Sequence, residues 1–350
     1  MPELRKDPIL SRWVIISPER GKRPIDFPAA KKKFRGGFCP FCPGNESKTP
    51  PEVLALRSTG IEPNSPGWSL RVVPNRYPAL MVEGELVREG EGMYDRISGI
   101  GAHEVIIETP DHNQTYTSMT NRAVENIFRA FQERIRDLKQ DNRFKYFMIF
   151  KNHGESAGAS LEHSHSQLIA LPIVPKRVME EMQGAHYHFN YKERCIFCDI
   201  IRQEMKVGQQ ERVVCHNDSF VALAPFASRF PFEVWILPLR HVHHFENMQD
   251  NDVGELAGLF QEIMQRLEGL LDNPDYNFIL HNAPVGDAAR EYYHWHLEIF
   301  PKLTHVAGFE WGSGFYINPT PPEMAAQLLR DFDLGDYLQD QATYASVGTQ

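Results

Sequence analysis

Residues His163-Ser164-His165-Ser166-Gln167 carry side chains whose types and spacing can do chemistry. On a β-strand, alternation puts His163, His165 and Gln167 on one face and the two serines on the other. One row then offers a metal ligand, a nucleophile and a hydrogen-bond donor. An imidazole with its ordinary pKa is roughly three-quarters neutral at pH 7. Its nitrogen can attack phosphorus to give a phosphoramidate, which divides one displacement into two. Gln167 can donate to a phosphoryl oxygen where charge develops. The loop just upstream, from Gly154 to Ser160, offers backbone N–H groups and hydroxyls to the same phosphates.

Four of the five cysteines form two C-x-x-C pairs, Cys39/Cys42 and Cys195/Cys198, while Cys215 reads as a small buried apolar residue. In a reducing compartment such pairs are metal ligands or redox centres. The redox reading is disfavoured because neither pair has a thioredoxin-like βαβ setting. Zinc takes four ligands, and Cys₂His₂ is a common structural set. Cys39, Cys42, His112 and one histidine of the 163/165 pair fill a first site. Cys195, Cys198, His241 and His294 fill a second. The histidine left over beside the first site is the free nucleophile.

The elements that must hold these residues occur twice. Each C-x-x-C precedes a strand-like run that leads to a histidine, His103–Ile107 to His112 and Phe232–Ile236 to His241. A helical stripe follows, with Val124, Ile127, Phe128, Phe131, Ile135 and Leu138 at the same offsets as Leu256, Leu259, Phe260, Ile263, Leu267 and Leu270. Asp252 with Glu255 supplies a start signal for the second helix. Strand-like runs ending in Asn152 and Asn282 come next, and then the histidine strands at 163–165 and 294–296. The chain reads as an internal duplication with a boundary between Pro172 and Cys195. The expected fold is α+β: two duplicated halves over 1–175 and 190–335, each a mainly antiparallel sheet with a packed amphipathic helix, then a polar tail over 336–350.

A net charge of −9 argues against a nucleic-acid-binding surface. The start of the chain has no apolar signal core, and no run reaches the ~20 apolar residues of a membrane span. The expectation is a soluble cytoplasmic protein.

Through these motifs the chain resembles the galactose-1-phosphate uridylyltransferase family of the histidine-triad superfamily. The resemblance runs from Ser17-Pro18-Glu19-Arg20-Gly21-Lys22-Arg23-Pro24 to about Arg330. It implies two histidine-triad-like halves, with His165 as the nucleophile that carries a nucleoside monophosphate and His163 as the zinc ligand. It also implies phosphate-binding roles for Arg20 and Arg23, a base or ribose contact at Asn75, and phosphate-loop roles for Asn152, Gly158 and Ser160. Gln167 stands where triad hydrolases have a third histidine. The resemblance places acceptor-sugar contacts at Phe309 and Glu310, and it suggests a homodimer.

The chain departs from the family pattern in places. Serines replace the proline and glycine of H-P-H-G-Q. Thr304 and Tyr316 stand where the acceptor loop of well-known members has lysine and glutamine. Both features are similar to ADP-glucose phosphorylase, which passes its nucleotide to inorganic phosphate. Some members bind a second metal through positions whose nearest counterparts here are Glu181, His281, His296 and Glu298. The full Cys195/Cys198/His241/His294 set favours zinc over iron in a structural second site.

The expected function is ping-pong nucleotidyl transfer, with UDP-glucose as donor and galactose 1-phosphate as acceptor, in galactose metabolism. The alternatives are an ADP-glucose phosphorylase and a non-catalytic zinc-stabilised nucleotide-binding protein.

Overall fold

The two alternating histidine runs enter one sheet. The computed structural model describes residues 1–20, 37–208, 210–286 and 288–339. Strands β1 (Glu3–Lys6) and β2 (Trp13–Ile16) open the chain, followed by β3 (Leu54–Arg57), β4 (Trp68–Pro74), a hairpin of β5 (Arg88–Glu91) and β6 (Tyr94–Ile97), and β7 (Ala102–Ile107). Helix α1 (Asn121–Leu138), β8 (Tyr146–His153) and β9 (His165–Leu171) complete the first half. Helices α2 (Lys176–Lys192) and α3 (Ile196–Glu204) lead into β10 (Val213–His216), β11 (Phe220–Leu223) and β12 (Val234–Pro238). Helix α4 (Asp250–Leu271), β13 (Tyr276–His281) and β14 (His296–Pro301) follow, and α5 (Gly308–Ser313), β15 (Tyr316–Asn318) and α6 (Pro322–Asp331) close the set.

Ten strands form one antiparallel sheet in the order β10-β11-β12-β14-β13-β8-β9-β7-β4-β3. Read outward from the β8–β13 seam, both halves have the same order, so the duplication in sequence is a pseudo-twofold in space. Ile149 pairs with Leu280 on the seam. The helical stripes cover one face, where the equivalent residues Phe128 and Phe260 meet edge to face at 5.3 Å. Burying each such ring contributes about 1.5–3 kcal/mol relative to exposure.

Some elements differ from expectation. The runs ending at Asn152 and Asn282 are offset by one residue. Asn282 is buried on the helix side, like Lys151, whereas Asn152 is half-buried on the opposite face. A single-residue slip in a strand exchanges faces, which side-by-side alignment without geometry does not detect. Helix α4 is capped by Gln249, three residues before the Asp252 expected in that place. The segment expected to break the pattern at the boundary is helix α2, started by Pro175 at its N-cap. Residues 3–16 cross to the far half, where β2 pairs in parallel with β15. Residues 334–339 are helical, and Tyr337 donates to Glu268 at 2.8 Å, so the tail expected from 336 is docked at its start. Cys215 is half-buried rather than buried. No helix among the described residues is long and apolar enough to cross a membrane.

Candidate active site and metal centres

Strand β9 begins at His165, so His163 stands just ahead of it, at the mouth of the sheet. The turn at Cys39–Cys42 covers this edge. Cys39 Sγ lies 3.6 Å from His163 Nδ1, and Cys42 Sγ lies 3.4 Å from His112 Nδ1 and 3.6 Å from His163 Nδ1. In the second half Cys198 Sγ lies 3.3 Å from His241 Nδ1 and 3.7 Å from His294 Nδ1. A tetrahedral zinc with the usual bond lengths sets sulfur and nitrogen about 3.6 Å apart. His163 donates its Nε2–H to Thr109 O at 2.7 Å, His241 to Arg290 O at 2.7 Å and His294 to Pro238 O at 2.8 Å. Each Nδ1 lone pair therefore faces the thiols, as a metal ligand requires. Both clusters can hold a metal ion. The described structure thus groups all eight expected ligands, four and four.

His165 is buried and donates Nδ1–H to His163 O at 2.8 Å, so its Nε2 keeps the lone pair. Burial, and then the positive charge of Lys151, push this imidazole down to about 4, so it is neutral at pH 7. Phe41, inside the first C-x-x-C, packs edge-on against the ring at 5.3 Å. A neutral, oriented imidazole with a free nitrogen is competent to attack an electrophile.

The two serines face the helix side. Ser164 and Ser166 both donate to the buried Glu108 carboxylate, as does Tyr116, and Lys151 pairs with it at 2.6 Å. Burial alone would raise the Glu108 carboxyl. Lys151 and the two hydroxyls hold it below the usual range.

Gln167 is backed by His103, a residue that sequence reasoning passed over. The Ala79 N–H can only donate, so His103 Nδ1 accepts at 3.2 Å and the ring proton sits on Nε2. That proton goes to Gln167 Oε1 at 2.8 Å, which leaves the amide NH₂ for a ligand. Asn75 Nδ2 lies 3.2 Å from the same ring nitrogen. This is a contact of two N–H groups and not a hydrogen bond, since Asn75 Oδ1 accepts from Tyr77 N–H. The contact places Asn75 beside Gln167. The available signal was alternation: His103, Val105 and Ile107 share a face with the facing His165 and Gln167.

The loop after β8 closes on itself. The N–H groups of Gly158 and Ala159 bond to Glu155 O and Gly154 O, both at 3.0 Å, and Ser156 N–H donates to Asp275 Oδ2 at 2.8 Å. The loop therefore has fewer free backbone donors than expected. Arg20 ends an exposed turn, and Arg23 lies outside the described residues. Glu310 caps its own helix by accepting from Ala307 N–H at 2.9 Å, and Phe309 is exposed. Among the described residues, no hydrogen bond or ion pair joins these two to the His165 cluster.

The second half differs at the position equivalent to His165. His296 Nε2 lies 3.3 Å from Glu181 Oε1, so the nitrogen that is free in His165 is engaged. Glu181 comes from α2, the helix the sequence did not reveal. His281 stacks on His296 at 4.6 Å and contacts both Glu181 and Glu298. Burial lowers His281, but Glu298 and Glu181 outweigh it and raise the imidazole to about 10. Glu298 also pairs with the buried Arg229. The Glu181/His281/His296 group is thus a third cluster apart from the Cys₂His₂ set, whereas the sequence offered the two as alternatives.

The family model for galactose-1-phosphate uridyl transferase, N-terminal domain, matches residues 1–175, and that for its C-terminal domain matches residues 177–333. The chain belongs to this family. ADP-glucose phosphorylase of Arabidopsis thaliana is 38% identical over 340 residues, 95% of this chain and 93% of that protein. Galactose-1-phosphate uridylyltransferase of Thermotoga maritima is 31% identical over 344 residues, 95% of this chain and 99% of that one. A crystal structure of the Arabidopsis phosphorylase with bound ADP-glucose superposes with a TM-score of 0.80 at 36% identity, covering 95% of this chain and 100% of that chain. A uridylyltransferase structure gives 0.74 at 29% identity, covering 97% and 99%. The family consists of nucleotidyltransferases, and its two-half α+β architecture is the one seen here.

Proposed function

We propose that the protein transfers a nucleoside monophosphate from a nucleotide sugar to a phosphate acceptor through a covalent intermediate on His165. The observation that carries this reading is the His165 geometry: its Nδ1–H is fixed on His163 O, which leaves Nε2 as the nitrogen open to a substrate. Nε2 attacks the α-phosphorus, the bond to the bridging oxygen breaks, and sugar 1-phosphate leaves. An acceptor phosphate oxygen then attacks the same phosphorus, the P–N bond breaks, and the nucleotide departs with a new terminal phosphate. Gln167 and Asn152 donate to the phosphoryl oxygens as charge shifts onto them. Zinc in both Cys₂His₂ sites stiffens the strand ends, with Cys39, Cys42, His112 and His163 in one and Cys195, Cys198, His241 and His294 in the other. Bound there, the metal supplies rigidity.

We place adenylyl transfer from ADP-glucose to inorganic phosphate ahead of the uridylyl transfer expected from sequence. The 38% identity to an ADP-glucose phosphorylase, against 31% to a uridylyltransferase, supports this order. The serines of the nucleophile motif and Thr304 and Tyr316 beside the acceptor loop support it too. Uridylyl transfer to galactose 1-phosphate is the second reading, favoured by the family as a whole.

Intact-protein mass after brief incubation with ADP-glucose or UDP-glucose, without acceptor, tests both. An adenylyl adduct absent from His165→Asn and discharged by phosphate is the expected result. A uridylyl adduct discharged by galactose 1-phosphate selects the second reading. No adduct from either sugar, with both nucleotides bound, removes covalent catalysis.

A further inference from the structure

We infer that Asn277, from the half that lacks a free nucleophile, is a positioning residue that aims the Asn152 amide at the transferred phosphoryl group. This rests on the role proposed for Asn152. The two asparagines face each other across the β8–β13 seam. The two ends of an amide are assigned from their hydrogen-bond partners, and here one partner is unambiguous. The Ala157 carbonyl can only accept, and Asn277 Nδ2 lies 2.9 Å from it. The Lys151 carbonyl, also an acceptor, lies 3.4 Å from the same nitrogen. The NH₂ of Asn277 therefore points toward the phosphate loop. Its second contact, 2.8 Å away, must be an oxygen, so Asn152 presents Oδ1 to Asn277. The Asn152 NH₂ is thereby turned to the other side, over Gly158, where an added Cβ would come within 3.8 Å of it.

The seam thus settles which end of Asn152 is free. A free NH₂ donates to an anionic oxygen, whereas a free carbonyl would repel one. The neighbouring residue Asp275 fixes the loop itself through Ser156 N–H at 2.8 Å. Strand β13 accordingly serves the active site of the other half. This explains why a half whose own histidine is engaged by Glu181 remains part of the catalytic unit.

Asn277→Asp is the discriminating variant, since it keeps the shape and removes both donors. The introduced carboxylate accepts from the Asn152 NH₂ and rotates that amide, withdrawing its donor from the phosphate. The rate of adduct formation on His165 should fall roughly 10- to 100-fold, the value of a hydrogen bond to a charged group. In a double-mutant cycle the effect of Asn277→Asp should largely vanish on an Asn152→Ala background. Asn277→Ala, which leaves Asn152 free to choose either orientation, should lose less than Asn277→Asp. Urea unfolding of each variant gives its fold stability separately. Full additivity of the two substitutions, or an unchanged rate in folded Asn277→Asp, overturns the inference while Asn152→Ala still slows transfer. If Asn152→Ala itself has no effect, the role proposed for Asn152 fails, and the inference fails with it.

Discussion

The Lys151 ammonium donates to the backbone carbonyl of His165 at 3.1 Å from the face of the sheet opposite the free imidazole nitrogen. The same ammonium pairs with Glu108, which also holds Ser164 and Ser166. The two serines that depart from the common family motif thus clamp a buried carboxylate, and the ion pair fastens the peptide of the candidate nucleophile.

Breaking that pair on one side leaves a buried charge uncompensated. Lys151→Met should destabilise the protein by about 3–5 kcal/mol, and the double variant Lys151→Met/Glu108→Gln by less, because no lone charge remains. Urea midpoints with constant slope measure both. Equal losses in the single and double variants would show that packing, not charge pairing, is what the site contributes.

The metal clusters give a prediction that separates neighbouring histidines. Wild-type protein should carry a metal ion in each Cys₂His₂ group. Cys39→Ser and His163→Ala should each empty the first site, and Cys195→Ser the second, while His165→Ala leaves both filled. Elemental analysis of purified protein reads this directly. Metal loss from His165→Ala would exchange the roles proposed for His163 and His165.

The two Cys/His clusters were legible because C-x-x-C spacing and H-x-H alternation are local patterns, and both patterns occur twice. The apolar stripes of α1 and α4 were legible for the same reason. What sequence could not reveal depends on register and on distant partners. Asn152 and Asn282 share a letter and a place in their runs but face opposite ways, since a shift of one residue reverses a strand. Helix α2 lacks a strong apolar stripe, so the family resemblance, and not the residue pattern, grouped Glu181 with His281 and His296. His103 became informative only when the β7–β9 register set it diagonally from Gln167.

His103 yields a kinetic prediction. Its Nε2–H holds Gln167 Oε1 at 2.8 Å, and replacing it by alanine frees the amide to turn. His103→Ala should slow adduct formation by about tenfold, the order of one hydrogen bond. Gln167→Ala and the double variant should have nearly equal rates, because the histidine acts only through the amide. Independent effects in the cycle would assign His103 a contact of its own with the substrate.

Glu246 links the halves and makes stability depend on acid. Its carboxylate is buried, accepts from Lys139 of α1 at 2.7 Å and from Asn282 at 2.9 Å, and lies 3.7 Å from His244. Burial would raise its pKa, but His244 and Lys139 hold it below the ordinary carboxylate value. A carboxyl depressed in the folded state binds fewer protons there than in the unfolded chain. Its stabilising contribution is complete above the unfolded pKa of about 4.3 and is lost as pH falls through the lower folded value. Glu246→Gln should therefore lower the urea midpoint most at pH 7, with the gap to wild type narrowing below about pH 4 as the wild-type carboxyl protonates. A constant gap across that range would mean that Glu246 contributes shape and hydrogen bonds to the seam but not charge.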